Sequence, residues 1–323
     1  MALSAAHAYD PVSRSGRLSS RAGQGCPVAT EPFIGRIGMI LLTGVTGKTG
    51  GAAASELIKK GVPLRALVRD ADKASALKEA GVELVVGDAA DRDVVARALD
   101  GVEKALLILP NSQEQRDMEM QFVDLAAEAG VRHFVKLSSL EALPEATSPI
   151  PAMHYAVEQH IGTTDMDWTV IKPNFFMQNL LPSGFVIKAE GKFYLPMGDG
   201  VTVMMDCRDI GAVIAEVLVG TGHEGQSYKI SGPELMTFHA VADRFSEVIG
   251  KKVEYVNQDP AAYRERVAPF LSSEWHLDAV MHLFSEVVDG VVMPTVTDTF
   301  EQLVGREPIP FRRFVQDHIS VYQ

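Results

Sequence analysis

Cysteine is almost absent from this 323-residue chain, which contains only Cys26 and Cys207. Two isolated cysteines exclude a disulfide framework and form neither a C-x-x-C redox motif nor a zinc site. Long apolar runs are also missing, because stretches such as residues 210–219 reach about half of the roughly 18 residues that a membrane span needs. The sequence therefore predicts a reducing, cytoplasmic compartment, no metal centre and no membrane-spanning helix.

Positive charge is also scarce, with 30 basic against 42 acidic side chains and a net charge of −12. Proteins that bind nucleic acid usually present a basic face, so we expect no nucleic-acid partner. Hydrophobic residues make up 46% of the chain and charged residues 22%. This composition is that of an ordinary globular protein with a sizeable core.

The first 38 residues differ from the rest, since arginines outnumber acidic residues there and Ser, Gly and Pro are scattered through the segment. We interpret residues 1–38 as a flexible basic leader that comes from an upstream start or a cloning remnant, with Met39 opening the first domain. A targeting segment and a functional arm are the alternatives, although no signal-peptide core is present.

From Met39 onwards, apolar runs alternate with helical periods between tight glycine turns. The predicted strands are 39–43, 63–68, 83–86, 105–109, 133–137 and 168–171, and the predicted helices are 48–60, 71–80, 92–99, 113–129 and 153–161. This alternation predicts an α/β fold with a Rossmann-type doubly wound parallel sheet, covered on both faces.

The alternation loosens in the second half, where we expect strands at 192–195, 201–205 and 228–230 and helices at 209–219, 237–249 and 261–283. We predict a dinucleotide-binding domain over residues 39–180 and a smaller C-terminal substrate-binding lobe over 181–323, with some helices returning to the first core. This lobe is expected to cap the cofactor edge, and its helix 275–284 either lines the substrate pocket or packs in the core.

A glycine-rich loop follows the first predicted strand, with glycines at positions 44, 47 and 50. Gly44 turns the chain, Gly47 allows backbone amides to approach a pyrophosphate, and Gly50 lets the helix pack closely on the sheet. Between a buried strand and a helix, this spacing predicts a dinucleotide site, and the alternative is a turn without a ligand.

The end of the second strand selects between NAD and NADP. Arg69 and Lys73 stand there, and a guanidinium binds a phosphate through two parallel donors, so the sequence favours NADP(H), with NAD(H) possible. The alternative is that Asp70 contacts the ribose while the two basic side chains are solvated. Asp88, after the third strand, is expected either to meet the adenine or to cap the next helix.

The nicotinamide end is expected over the fourth and fifth strands, near Leu109 and Pro110 and near Ser138 and Ser139, although such serines are often plain caps. His154 and Tyr155 follow on a helix and are the catalytic candidates. A short-chain dehydrogenase would carry Tyr-x-x-x-Lys here, but position 159 is Gln. Glu158 lies one turn from His154 and is expected to orient the imidazole and raise its basicity; the alternative is a structural histidine.

Phe175 and Phe176 follow the sixth strand directly, where they either line the nicotinamide and substrate pocket or belong to the core. Together, the predicted cofactor-binding residues are Gly44, Thr46, Gly47, Lys48, Thr49, Gly50, Arg69, Lys73, Asp88, Ala89, Leu109, Pro110, Ser138, Pro173, Asn174 and Phe175. Ser139 and Phe176 are the predicted substrate-pocket residues.

Six motifs are distinctive in combination: residues 40–50 (ILLTGVTGKTG), 67–70 (LVRD), 87–88 (GD), 168–179 (WTVIKPNFFMQN), 209–210 (DI) and 231–234 (SGPE). Together they resemble the NmrA-like family of atypical short-chain dehydrogenases/reductases. The family includes isoflavone, triphenylmethane and quinone reductases and festuclavine dehydrogenase, most of which use NADPH. It also includes non-catalytic dinucleotide sensors that act as transcriptional co-regulators.

The resemblance implies an NADPH-dependent oxidoreductase, and the alternative is an NAD(P)-sensing regulator without turnover. By position, His154 stands where the isoflavone-reductase branch has a catalytic Lys, so that branch's proton transfer is not implied. A small electrophile such as a quinone, an iminium ion or a cationic dye takes hydride with little acid assistance, so such acceptors suit the site best. We expect a monomer or a homodimer that acts on a small molecule.

Overall fold

The fold is seen in a computed structural model that describes residues 37–271, 273–291 and 293–323. Cys26 and all but the last two residues of the predicted leader lie outside the described residues. Ile37 to Gln323 form a unit with its own internal contacts.

Strands alternate with helices through the first half of this unit. The strands are β1 (Met39–Leu42), β2 (Leu64–Val68), β3 (Glu83–Val86), β4 (Val102–Leu107), β5 (His133–Leu137), β6 (Asp167–Pro173), β7 (Lys192–Leu195), β8 (Val201–Thr202), β9 (Gln226–Ile230), β10 (Met236–Thr237) and β11 (Glu254–Asn257). Strands β1, β2, β4, β5 and β6 bury most of their side chains, as expected for strands covered on both faces, whereas β3 does not.

The α-helices are α1 (Lys48–Lys59), α2 (Ser75–Glu79), α3 (Arg92–Leu99), α4 (Gln115–Glu128), α5 (Pro149–Ile161), α6 (Gly184–Glu190), α7 (Cys207–Val219), α8 (Phe238–Ile249), α9 (Pro260–Val267), α10 (Glu274–Val288), α11 (Thr299–Val304), α12 (Phe311–Asp317) and α13 (Ile319–Tyr322). Short 3-10 helices cover Asp72–Ala74, Met177–Ser183 and Ala268–Phe270. No helix among the described residues is long and apolar enough to cross a membrane.

Seven strands form one sheet in the order β3-β2-β1-β4-β5-β6-β9. Every neighbouring pair is parallel, so the carboxyl ends of the strands share one edge. The order reverses at β1, between β2 and β4, which is where ligands bind in open α/β sheets. The predicted doubly wound parallel sheet is confirmed.

Two apolar layers cover the faces of this sheet. One contains α1 and α7, which pack on alternate side chains of β1, β2, β4 and β5 such as Ile40, Leu106 and Val135. The other contains α3, α4 and α5, which pack on the opposite face through residues such as Phe122 and Phe134. A Cβ on Gly211 of α7 would stand 2.6 Å from that of Ala52 in α1, so the missing side chain sets the close approach of these helices.

A third apolar cluster joins parts of the second half that do not enter the sheet. It includes Met177, Phe193, Phe245, Phe311 and Tyr322. The second half nevertheless also supplies β9 to the central sheet and α7 to its cover. The division of the unit at residue 180 stays a prediction.

Two predicted helices differ from the structure in detail, and the strand predicted over 201–205 ends at residue 202. The expected helix over 261–283 is divided into α9 and α10, because Pro269 cannot donate a helical backbone hydrogen bond and the Ser273 hydroxyl accepts from the amide of His276 to begin a new helix. The expected helix over 71–80 opens as a 3-10 turn, because the Asp70 carboxylate accepts from the amides of Asp72 and Lys73.

A buried histidine lies at the amino end of β5. The Thr169 hydroxyl donates to the carbonyl of His223 over 2.6 Å, so its oxygen must accept from Nε2–H of His133 at 2.8 Å. His133 is 3% exposed and its Nδ1 has no partner among the described residues. Burial lowers the pKa of His133 to about 4, and the nearby positive charge of Lys104 adds to this.

This histidine predicts a loss of stability in acid. An unfolded histidine titrates near 6.5, so as the pH falls the unfolded state takes up the proton first, and the stability present above that pH is lost towards pH 4. By linkage, the free energy of unfolding at pH 4.5 is about 2.5 kcal/mol lower than at neutral pH because of this histidine. Denaturant unfolding at pH 7 and pH 4.5 should therefore show a smaller pH dependence in His133→Gln than in the unmodified protein. His160→Gln, at a surface histidine paired with Asp124, is the control; equal pH dependence in all three proteins would contradict the assignment.

Candidate functional site

The glycine-rich turn connects β1 to α1 at the carboxyl edge of the sheet. Gly44 has a positive φ of 67°, and a Cβ there would come within 2.8 Å of the Ile108 carbonyl oxygen. A Cβ on Gly50 would collide with the carbonyl of Gly44, so α1 can start this close to the strand only with glycine at position 50. The loop thus has the close backbone approach that the sequence predicted.

The amino end of α1 is open to an anion. Gly47 is its N-cap and supplies no side-chain hydrogen bond, and the first turn contains no acidic residue. Thr46, Gly47 and Lys48 are exposed, whereas Thr49 is buried. Unpaired amides and the positive end of the helix dipole therefore face outward, which suits a pyrophosphate.

Gln178 links α1 to the start of α7 through hydrogen bonds. The sequence analysis did not identify it. Its backbone carbonyl accepts from Lys48 Nζ at 3.0 Å, and its side-chain amide donates to Asp206 Oδ1 and accepts from the amide of Cys207. Lys48, predicted to bind cofactor, thus already has a protein partner. Cys207 is buried, and burial raises the pKa of its thiol to about 11, so this cysteine is not a nucleophile at neutral pH.

Arg69 is exposed at the end of β2 and forms no ion pair or hydrogen bond with any other described residue. Asp70 accepts from the amides of Asp72 and Lys73, and its other oxygen lies 3.8 Å from Lys73 Nζ. Asp70 therefore serves the turn, and Arg69 is the basic side chain left available at this corner. This arrangement suits a 2′-phosphate better than a ribose hydroxyl.

Asp88 closes the turn after β3, where its carboxylate accepts from the amide of Ala90. The cap of α3 is instead Asp91, which accepts from the amides of Asp93 and Val94. Ala89 is buried between them, and Asp88 stays exposed at the carboxyl edge.

The loops after β4 and β5 place Leu109, Pro110, Ser138 and Ser139 at the same edge, because these strands are parallel neighbours. Leu109 is half-buried and Pro110 is exposed. Ser138 is buried and its hydroxyl donates to Glu158 Oε1, so this serine serves an internal network.

Asn174, which follows β6, forms hydrogen bonds with other residues of the chain. Asn174 donates to Glu141 Oε1 at 2.7 Å and accepts from Thr202 and from the amide of Val203. Burial raises the pKa of Glu141, against the hydrogen bond from Asn174 that lowers it. Asn174 therefore acts as a cross-link between three loops, directly after the backbone of Pro173 leaves the sheet.

Phe175 and Phe176 pack against different apolar clusters. Phe175 meets Phe238 edge-on at 5.8 Å in the third cluster, whereas Phe176 packs on the core beneath α1 and α7. Both rings are only partly buried, so each packs on the core with one side and is partly exposed at this edge of the sheet.

A buried ionic network lies behind the catalytic candidate and was also missed. Lys136 of β5 is 1% exposed, and its ammonium donates to Glu119 Oε1 at 3.1 Å, to the carbonyl of Leu137 and to His154 Nδ1 at 3.2 Å. Gln115, one turn before Glu119 on α4, donates to the same carboxylate. A lysine inside the apolar strand HFVKL was the available signal, because a buried lysine requires a partner.

His154 is a neutral imidazole in this arrangement. Because an ammonium can only donate, Nδ1 of His154 accepts, and the ring proton stands on Nε2. Burial lowers the pKa of His154 well below its usual range, and the charges of Lys136 and Lys172 lower it further. Nε2 has no hydrogen-bond partner among the described residues and is the donor that this site presents.

The expectation that Glu158 raises the basicity of His154 is wrong. Glu158 Oε2 accepts from Lys172 Nζ at 2.8 Å and Oε1 accepts from Ser138, so the carboxylate is already bound. Lys136 Nζ lies 3.2 Å from Nδ1 of the imidazole, and the charges of Lys136 and Lys172 lower the pKa of His154.

Tyr155 is half-buried on α5, and its hydroxyl makes no hydrogen bond with another described residue. Gln159, where a short-chain dehydrogenase would place Lys, is exposed. Among the described residues no group of three or more His, Cys, Asp or Glu side chains could hold a metal ion.

A cavity of about 670 Å³ lies beside the start of α5, lined by Pro149, Ala152, Met153 and Trp275 together with the first turn of α4. Neither Ser139 nor Phe176 lines it. Its α5 residues recur every three or four positions and so occupy a different face of that helix from His154 and Glu158.

The arrangement at the carboxyl edge combines an anion-binding helix end, an unpaired arginine and a neutral imidazole that can donate one proton. Such a site can hold a dinucleotide in extended form and place its nicotinamide end near β4, β5 and α5.

Comparison with known proteins gives relatives among reductases. The chain is 32% identical over 284 residues to an NAD(P)H azoreductase of Xenophilus azovorans, over 88% of this chain and 99% of the relative. It is 31% identical over 230 residues to quinone oxidoreductase 2 of Escherichia coli, over 70% of this chain and 79% of the relative.

Solved structures agree with these relatives. The NADPH complex of the Escherichia coli quinone oxidoreductase superposes with a TM-score of 0.78 at 25% identity, over 87% of this chain and 100% of that chain. Triphenylmethane reductase of Citrobacter, complexed with NADP(H), gives 0.77 at 26% identity, over 86% and 99%. Residues 37–307 match the NmrA-like family, and the chain belongs to that family.

Proposed function

We propose that this chain is an NADPH-dependent oxidoreductase that transfers hydride to a small conjugated or aromatic electrophile, such as a quinone, an iminium ion or a related acceptor. The observation that carries the proposal is that the open amino end of α1 and the neutral His154 belong to the same edge of the sheet. The relatives support it, because an NAD(P)H azoreductase and a quinone oxidoreductase are similar to this chain over 88% and 70% of its length.

The cofactor is held by the protein's own groups in this account. The amides that follow Gly44 bind the pyrophosphate, Arg69 binds the 2′-phosphate with Lys73 nearby, and the surface near Leu109 and Ser138 receives the nicotinamide. Gly50 supports this assignment, because its missing Cβ keeps the turn open. NADP(H) is preferred and NAD(H) binds more weakly. When bound, NADPH supplies the hydride from its nicotinamide C4.

His154 donates one proton through Nε2–H to acceptors that become anionic on reduction, and Tyr155 is a second candidate donor on the same helix. Phe176 and Ser139 are proposed to meet the acceptor. The protein's main task is to hold the acceptor against the nicotinamide, so electrophiles that need little acid assistance react best. A monomer or a homodimer fits this function.

Turnover with a panel of acceptors tests the activity. The purified protein should oxidise NADPH, followed at its absorbance, in the presence of a quinone, an azo dye, a cationic triarylmethane dye or an iminium ion. A protein with the α1 end closed by Gly50→Val should bind NADPH poorly and turn over none of them. Tight NADPH binding by the unmodified protein without oxidation by any acceptor would overturn the proposal and favour a sensor.

Arg69→Asp tests the choice of cofactor. Because hydrogen bonds between charged groups contribute about 1.5–3 kcal/mol, the Kd for NADPH should rise roughly 10- to 100-fold, with little change for NADH. Direct fluorescence titration measures both constants. Arg97→Asp, another exposed arginine at the far end of α3, controls for the change in net charge. Equal weakening of NADPH and NADH in Arg69→Asp would remove Arg69 from the phosphate site.

His154→Ala tests the proton donor. The kcat with a quinone should fall roughly 100-fold, at the lower end of what a general acid contributes, while the Kd for NADPH changes little. His160→Ala lies on the same helix at a surface ion pair with Asp124 and serves as the control. An unchanged kcat in His154→Ala would make His154 a structural residue.

A further inference from the structure

The position of Lys136 is unusual because a lysine ammonium is buried in the middle strands of the sheet. All three of its donor positions are used, by the Glu119 carboxylate, the Leu137 carbonyl and His154 Nδ1. Glu119 is itself 1% exposed and is further held by Gln115. The ammonium therefore has one fixed orientation, and one of its protons always points at the imidazole.

A second ion pair holds the other side of the same helix. In the parallel register Lys136 is opposite Val170, so Lys172, two residues further on, projects from the same face of the sheet. Lys172 binds Glu158 at 2.8 Å and the Ala142 carbonyl at 2.7 Å. Each lysine is paired with its own carboxylate, and the imidazole of His154 is the uncharged member of the group.

Resting on the proposed function, we propose that Lys136, held by Glu119, is a positioning residue that fixes His154 as the Nε2–H donor and returns a proton to it through Nδ1. The acceptors that use this relay are those that become anions when they gain a hydride. Acceptors that become neutral when they gain a hydride do not use this relay. Lys136 thereby widens the range of acceptors rather than enabling hydride transfer itself.

The proton balance closes with one proton from solvent. The acceptor gains a hydride and its new anion takes the proton from Nε2 of His154. At the same time Nδ1 takes a proton from Lys136, which becomes a neutral amine beside Glu119. After the product leaves, solvent protonates Nε2 and Lys136 regains its proton from Nδ1, so the buried lysine never has to meet water.

Two acceptors separate this role from a structural one. A quinone that gains a hydride becomes a hydroquinone anion and needs one proton, whereas a cationic triarylmethane dye becomes neutral and needs none. The test variant is Lys136→Met combined with Glu119→Gln, because removing Lys136 alone would leave the buried Glu119 carboxylate without a positively charged partner. Fluorescence titration with NADPH verifies that the double variant is folded.

In the double variant at pH 8, kcat with the quinone should fall on the order of 100-fold, and kcat with the dye should fall no more than about 3-fold. Burial of His154 and the charge of Lys172 remain in this variant, so the pKa of the imidazole stays low and the quinone rate should not recover as the pH is lowered to 6. The unmodified protein should be nearly independent of pH over this range.

Lys104→Met is the matched control. Lys104 is a second buried lysine, on β4. Its ammonium donates to the carbonyls of Leu218 and Gly220 at the end of α7 and forms no hydrogen bond with His154. It should leave the ratio of quinone to dye turnover unchanged. Equal losses with both acceptors in the Lys136→Met/Glu119→Gln variant, or no loss with either, would overturn the relay. Failure of the proposed function looks different, because the unmodified protein would then reduce neither acceptor.

Discussion

The buried ammonium of Lys136 constrains the reactive part of this molecule more than any other group. A charge without water requires complete hydrogen bonding, and here three different elements supply it: α4 through Glu119, β5 through the Leu137 carbonyl and α5 through His154. Displacing any of them would leave a charge or a donor unpaired. The position of α5 beside the carboxyl edge therefore depends on this one ammonium as well as on apolar packing.

This constraint also explains why the imidazole is neutral in a protein with a net charge of −12. The overall acidity would favour a protonated histidine, but burial lowers the pKa of His154, and the charges of Lys136 and Lys172 lower it further. At the other end of the site, Arg69 keeps its positive charge free of an acidic partner while Asp70 is used by the turn. The body of the protein is acidic, whereas Arg69, which we propose binds the 2′-phosphate, has no acidic partner among the described residues.

The sequence was sufficient for the sheet because buried parallel strands and tight glycine turns leave a local pattern. It located β3 and β5 of this sheet, and β7 outside it, at the residues where they are found, and it placed the glycine turn at the switch point between β2 and β4. The partners of His154 could not be read in the same way. Glu158 is one helical turn away and looked like the natural partner, whereas Lys136 and Glu119 are 18 and 35 positions distant and meet His154 only once β5 and α4 pack. Spacing along a helix predicts which side chains share a face, but the neighbouring strands decide which of them interact.

The central claim is that this protein moves a hydride from NADPH to a carbon or nitrogen of an electrophile, and the isotopic content of the product tests it most directly. NADPH carrying deuterium at both C4 positions should give a leuco triarylmethane dye with one deuterium on its central carbon, which mass spectrometry detects as a shift of about 1 Da because that C–D bond does not exchange. A reduced dye without deuterium, formed in ordinary water, would contradict hydride transfer and with it this account of the site.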